Sequence, residues 1–106
     1  MENDDLTVAK KLLQLKQSAD SRGIEFDLSF HTVKRLLTAR KCYYTGVIFE
    51  ESGLYSRSID RVDSSLGYQD GNVVACTVDI NQKKANITAE EIHQISRKIK
   101  EHNRRR

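Results

Sequence analysis

The densest group of side chains able to do chemistry runs Ser58-Ile59-Asp60-Arg61-Val62-Asp63, then Asn72, then Asn81-Gln82-Lys83-Lys84. One carboxylate and one amide oxygen, with waters completing the shell, form a ligand set for Mg²⁺, a hard cation that keeps several waters and favours phosphate oxygens. Lys83 and Lys84 beside such a pair suit the gripping of scissile or flanking phosphates. For Asp60 and Asn81 to serve one ion they must meet in space. If Asp60 lies on a strand, its side chain points away from the face shared by Ile59 and Arg61. A helix carrying Asn81, packed across that strand, then brings amide to carboxylate. The competing reading pairs Asp60 with Arg57 or Arg61 on a surface strand and leaves Asn81 as an ordinary helix residue.

The elements that must position these groups follow from periodicity. Leu6, Ala9, Leu12, Leu13 and Leu15 mark an amphipathic helix from Asp5 to about Arg22, stopped by Gly23. Ile24 to Leu28 alternates apolar and acidic residues, as a short extended segment does. Ser29 then caps a second helix through Arg40, with Phe30, Val33, Leu36 and Leu37 at helical spacing. The stretch from Cys42 to Val74 holds four of the five glycines. It predicts a turn at Thr45-Gly46, a strand near Val47 to Phe49, a second strand near Ser58 to Arg61, and a loop from Asp63 to Gly71. A helix is expected from about Thr77 to Ala85. Thr88-Ala89-Glu90-Glu91 is a capping box, and Ile92, Ile95 and Ile99 continue it as a one-faced helix to about Glu101, with a frayed basic tail through Arg106.

Composition narrows the class of protein. At 106 residues the chain is one domain's worth of sequence. Lys plus Arg exceed Asp plus Glu by 18 to 15, a net charge of +3, and the excess is uneven. Residues 1–28 carry six acids and four bases, whereas residues 29–106 carry nine acids and fourteen bases. A basic C-terminal two-thirds suits a surface that meets phosphates, although solvated lysine-rich faces look the same in sequence. No apolar run approaches a membrane span, and mean hydropathy is −0.62. The acids before the first apolar stretch fit neither a signal nor a transit peptide, so a cytoplasmic protein is expected. Cys42 and Cys76 cannot form a secreted-type disulfide framework.

The strings RGIEFDLSFHTVKRLLTARKCYYTGVIF and SIDRVDSSLGYQDGNVVACTVDINQKKANIT resemble the HNH endonuclease family, of the ββα-metal type, in its small phage-encoded version. The likeness spans roughly residues 22 to 92. It implies an α+β fold: a ββα-metal (HNH) core of a short β-hairpin and helix, flanked by two N-terminal helices and one C-terminal helix. On this reading, residues 5–41 are the helical N-terminal part, 42–86 the core and 88–103 the C-terminal helix of a single domain. The resemblance also implies one Mg²⁺ or Mn²⁺ ion and the cutting of DNA phosphodiester bonds. Asp60 matches the metal-binding acid, Asn81 the second ligand on the helix, Asn72 the asparagine that shapes the loop, and Lys84 a lysine that meets the DNA backbone. Arg57, Arg61, Lys83 and Lys84 are the expected DNA contacts.

Two departures stand out. Relatives with a structural zinc carry two cysteine pairs, and here the positions read Cys42…Thr45 and Cys76…Asp79. Threonine is not a usable zinc ligand, so no structural zinc is expected and the two thiols should pack together as small hydrophobes. The second departure is Arg61, which stands where cutting members place the histidine that activates water. Arginine stays protonated, so Arg61 is expected to clamp phosphate instead. His31, His93 and His102 lie outside the motif, and Asp63 is the nearest other acid. Tyr43, Tyr44, Tyr55 and Tyr68 are expected to pack in the core or at its rim rather than stack on bases. The sequence therefore predicts a metal-dependent DNA endonuclease. Its rival is an HNH-like module that has lost its base and binds nucleic acid or a protein partner without cutting.

Overall fold

The computed structural model describes residues 4–84 and 87–104. Helix α1 spans Asp5–Ser21. Its N-terminus is fixed by the Asp4 carboxylate, which accepts the Thr7 N–H at 2.9 Å. Strand β1, Phe26–Asp27, leads to α2, Phe30–Thr38, where Ser29 Oγ caps by accepting from the Thr32 N–H. The Ser29 N–H in turn donates to Asp70 Oδ1 at 2.8 Å, tying the start of α2 to a distant loop.

The strand expected at Val47 to Phe49 is only a single bridge, Lys41↔Ile48. The reason is a tight knuckle: the Gly46 N–H donates to Cys42 O, the Cys42 N–H to Val47 O, and Gly46 turns at φ +78°. The turn closes immediately beside the bridge and leaves no residues to extend the ladder past it.

The hairpin instead pairs β2, Arg57–Arg61, with β4, Val73–Thr77, in antiparallel register from Arg57↔Thr77 to Arg61↔Val73. The connecting loop contains β3, Tyr68–Gln69, which runs parallel to β1 through Phe26↔Tyr68, and a 3-10 turn at Asp70–Asn72. Gly67 permits that approach, because a Cβ there would sit 2.5 Å from the Glu25 carbonyl oxygen. Helix α3, Val78–Lys84, packs across β2 and β4. Helix α4, Ala89–Arg104, opens with the expected capping box, the Thr88 N–H to Glu91 Oε1 and the Glu91 N–H to Thr88 Oγ1. It continues past Glu101 to Arg104, so His102 and Asn103 are helical rather than frayed. Ala85, expected to end α3, and Arg105 and Arg106 of the tail lie outside the described residues.

Val8, Ala19, Leu28, Val33, Leu36, Tyr68, Val73 and Ala75 form the core, with Ile59 packed against it. The apolar faces of α1 and α2 thus close on one face of the hairpin, leaving the other face for α3. Among the described residues, no helix is long and apolar enough to cross a membrane.

Candidate active site

Strand alternation divides β2 into two faces. Arg57, Ile59 and Arg61 turn toward the core side; Ser58 and Asp60 turn toward α3. On that second face the chain gathers its polar groups. Asp60, 8% exposed, accepts the Tyr44 hydroxyl at 2.8 Å on Oδ2, and the same oxygen lies 3.2 Å from Lys84 Nζ. Lys84 also donates to the Arg61 carbonyl oxygen at 2.9 Å, and its side chain is 1% exposed. Asn81 Nδ2 donates to Ser58 Oγ at 2.6 Å. Helix α3 therefore sets Asn81 and Lys84 over Ser58 and Asp60, one helical turn against two strand residues.

The donor set fits a hard divalent cation. Asp60 Oδ1 accepts no hydrogen bond among the described residues, and it is not sealed from solvent. The Asn81 amide oxygen is likewise without a partner there. Carboxylate and amide oxygens with water suit Mg²⁺ or Mn²⁺. The Lys84 ammonium is the competing charge at that carboxylate.

Three of the expected DNA contacts are engaged within the chain itself. Lys84, expected on the DNA backbone, is buried and bonded to Asp60 and Arg61, because α3 points its last turn into the hairpin rather than outward. Arg61, expected as a phosphate clamp, has Nη1 donating to the carbonyls of Ser64 and Leu66 at 3.0 and 2.9 Å, and its guanidinium lies 5.5 Å from the Tyr68 ring centroid. It stands on the core face, away from the Asp60 side chain. Arg57 donates twice to the Ala39 carbonyl and stacks 5.0 Å over Phe49. Of the four expected DNA contacts, Arg57 and Lys83 remain exposed, and Lys83 lines an apolar cavity of about 210 Å³ together with Tyr44 and Ile80.

Asn72 is buried between the ends of the loop. Its Oδ1 accepts the Asp63 N–H, and its Nδ2 donates to the carbonyls of Asp63 and Gly67. Asp63 is a poor base: hydrogen bonds from the Ser65 hydroxyl and N–H hold its carboxyl below the usual carboxylate range. His31 lies on α2, and His93 and His102 on α4, all exposed.

Tyr44 is the site residue that sequence reasoning assigned to packing. Burial first, and then the hydrogen bond to Asp60, drives its phenol well above the usual tyrosine range, so it acts as a donor to the carboxylate. The same alternation that singled out Asp60 points to Ser58 as its neighbour.

The knuckle holds Cys42, 3% exposed, while Cys76 is fully buried on β4 opposite Ser58. The Thr77 hydroxyl reaches Cys42 Sγ at 3.8 Å. Burial raises the Cys42 thiol, but hydrogen bonds from the Thr45 side chain and from backbone N–H groups of Thr77, Thr45 and Tyr44 outweigh it and hold the thiol below its ordinary value. Cys76 is pushed up to about 12, mainly by burial and then by the charge of Asp60. Asp79 Oδ1 accepts from the Thr77 hydroxyl and the Ile80 N–H, so it caps α3. No three His, Cys, Asp or Glu side chains gather as a metal site among the described residues.

No family model matches the sequence. The chain is 31% identical over 94 residues to an uncharacterized 29.0 kDa protein from the dda-modA intergenic region of Enterobacteria phage T4, covering 87% of this chain and 38% of that protein. It thus spans well under half the length of this curated relative. In three dimensions it is similar to the rare-cutting HNH restriction endonuclease PacI, with a TM-score of 0.66 at 21% identity over 92% of this chain and 80% of that one. The antiparallel hairpin, the helix laid across it and the knuckle at its side are the ββα-metal arrangement, and the fold of this chain is that of the HNH endonucleases.

Proposed function

We propose that the chain is a metal-dependent DNA endonuclease of the phage HNH type, nicking or cleaving phosphodiester bonds with one Mg²⁺ or Mn²⁺. What supports this most is the convergence of Asp60 and Ser58 from β2 with Asn81 and Lys84 from α3 on the face that the core leaves open. Asp60 Oδ1 and the Asn81 amide oxygen would hold the ion. When bound, the ion supplies a lowered water pKa and charge stabilisation at the phosphate, in a site with no histidine base. Tyr44 and Ser58 orient the carboxylate and the amide by their hydrogen bonds. Lys84 holds the hairpin by its bond to the Arg61 carbonyl, and its charge lies near any phosphate brought to Asp60. Asn72 and Arg61 keep the loop in shape. Lys83 and Arg57 are exposed cations available to the DNA backbone.

Incubation of supercoiled plasmid with the protein and Mg²⁺ or Mn²⁺ tests this. Relaxed product is expected, abolished by EDTA and by Asp60→Asn. Plasmid left supercoiled at a large excess of protein overturns it.

The second reading, a module that binds without cutting, is favoured by the Lys84 ammonium, which already neutralises Asp60 as a cation would. Salt-dependent retention of DNA with no relaxed product, together with no Mn²⁺ binding by calorimetry, decides for it.

A further inference from the structure

Helix α4 is the least supported element of the fold. It is 16 residues long, none of its described side chains is buried, and among the described residues it touches the rest of the chain only weakly, with Ile92 lining a small cavity beside Ile80. A helix of this length has little stability alone in water. Yet it carries an apolar stripe, with Ile95 and Ile99 at 53% and 56% exposed and Ile92 half-buried. Their spacing of three and then four residues puts them on one seam, which His102 continues. On one side the seam is flanked by Glu91 and Lys98, a heptad apart and opposite in sign; on the other it is flanked by neutral Ser96 and Asn103.

We propose that this face docks against α4 of a second copy of the chain in antiparallel orientation, forming a two-fold homodimer. The two-fold axis places Glu91 against Lys98 of the partner subunit, and repeats the pair in reverse. In that register Ile92 and Ile95 pack across the axis, and the antiparallel helix dipoles oppose one another favourably. A parallel pair would face Glu91 and Lys98 with neutral residues and set the two basic ends side by side. An isoleucine seam offers nothing to a phosphate, and this match of opposite charges to itself is what a second copy supplies. The inference stands apart from the nuclease reading, since none of these residues belongs to the site.

Sedimentation equilibrium of the full chain over roughly 1 to 300 µM, the span in which a small interface associates, tests it. The expected mass rises with concentration from 12.2 kDa toward twice that value. Ile95→Glu should weaken association by about tenfold or more. Glu91→Lys and Lys98→Glu should each weaken it, and the double swap should restore it. Ile95 lies outside the core, so the unfolding midpoint of dilute Ile95→Glu protein stays at the wild-type value, which separates docking from folding. A mass of 12.2 kDa at every concentration overturns the proposal. So does association that Ile95→Glu leaves intact, or a monomer whose Ile95→Glu variant loses DNA retention instead.

Discussion

The two faces of strand β2 receive charged residues that are neighbours in sequence and give them different work. On the core face, Arg61 and Arg57 donate to backbone carbonyls and stack on Tyr68 and Phe49, while Ile59 joins the apolar cluster. On the α3 face, Asp60 meets only side chains, Tyr44 and Lys84, and keeps one oxygen free among the described residues. An arginine whose donors end on backbone carbonyls shapes a loop. A carboxylate whose partners are side-chain groups, with an oxygen in reserve, can take a further ligand. Both faces are rich in charge, yet on the core face that charge is spent on backbone carbonyls and on the α3 face it is gathered around one carboxylate.

The largest effect expected of this division is at Asp60. Asp60→Ala strands the buried Lys84 ammonium and should cost about 3–5 kcal/mol, with Asp60→Ala/Lys84→Met recovering most of the loss in urea unfolding. A cost below about 1 kcal/mol for the single variant would show that the α3 face is solvated rather than closed, and would break the comparison at its stronger side.

A smaller effect tests the other face. Arg61→Met removes both bonds to the loop carbonyls and should lower stability by about 1–2 kcal/mol, leaving plasmid nicking by the folded protein unchanged. Unaltered stability with nicking lost would return Arg61 to the phosphate.

A third test is a pH dependence that separates the two thiols. Cys76, on the Asp60 face, has its thiol raised from 9.0 to about 12. Its contribution is complete below pH 9 and is lost as pH climbs from 9 toward 12, because the unfolded chain releases the proton first. Cys42 is shifted downward and has the opposite sign. Urea midpoints between pH 8 and 11 should therefore fall less steeply in Cys76→Ala and more steeply in Cys42→Ala. Equal slopes in the two variants would erase the distinction between the two sites.

Much of the scaffold is legible in the sequence because its signals are local. Ser29 and Thr88 cap the helices they were expected to cap, the apolar spacing of α2 marks the face that closes the core, and alternation along Ser58 to Arg61 separates Asp60 from Arg61; on α1 the core face runs instead through Val8, Leu12, Leu15 and Ala19, leaving Leu6, Ala9 and Leu13 exposed. The short strand at Val47 to Phe49 was misjudged because a β-branched pair reads as strand, while the Cys42 to Val47 knuckle that overrides it is closed by backbone bonds with no distinctive side chain. Tyr44 was read as packing because it is 16 residues from Asp60 and sits in no regular element. Lys83 and Lys84 look alike as text, yet the last turn of α3 buries one and exposes the other.

The sequence alone determined the order of the helices, the caps, the excess of positive charge beyond residue 28 and the pairing of Asp60 with Asn81 as candidates, since these rest on periodicity and residue chemistry. Only the tertiary structure decided which partner each charge engages: Lys84 on Asp60, Arg61 on Ser64 and Leu66, Asn72 across the loop, Tyr44 on the carboxylate. A buried charge takes whatever partner the packing brings within about 3 Å, and that is settled by how α3, the loop and the knuckle close on the hairpin.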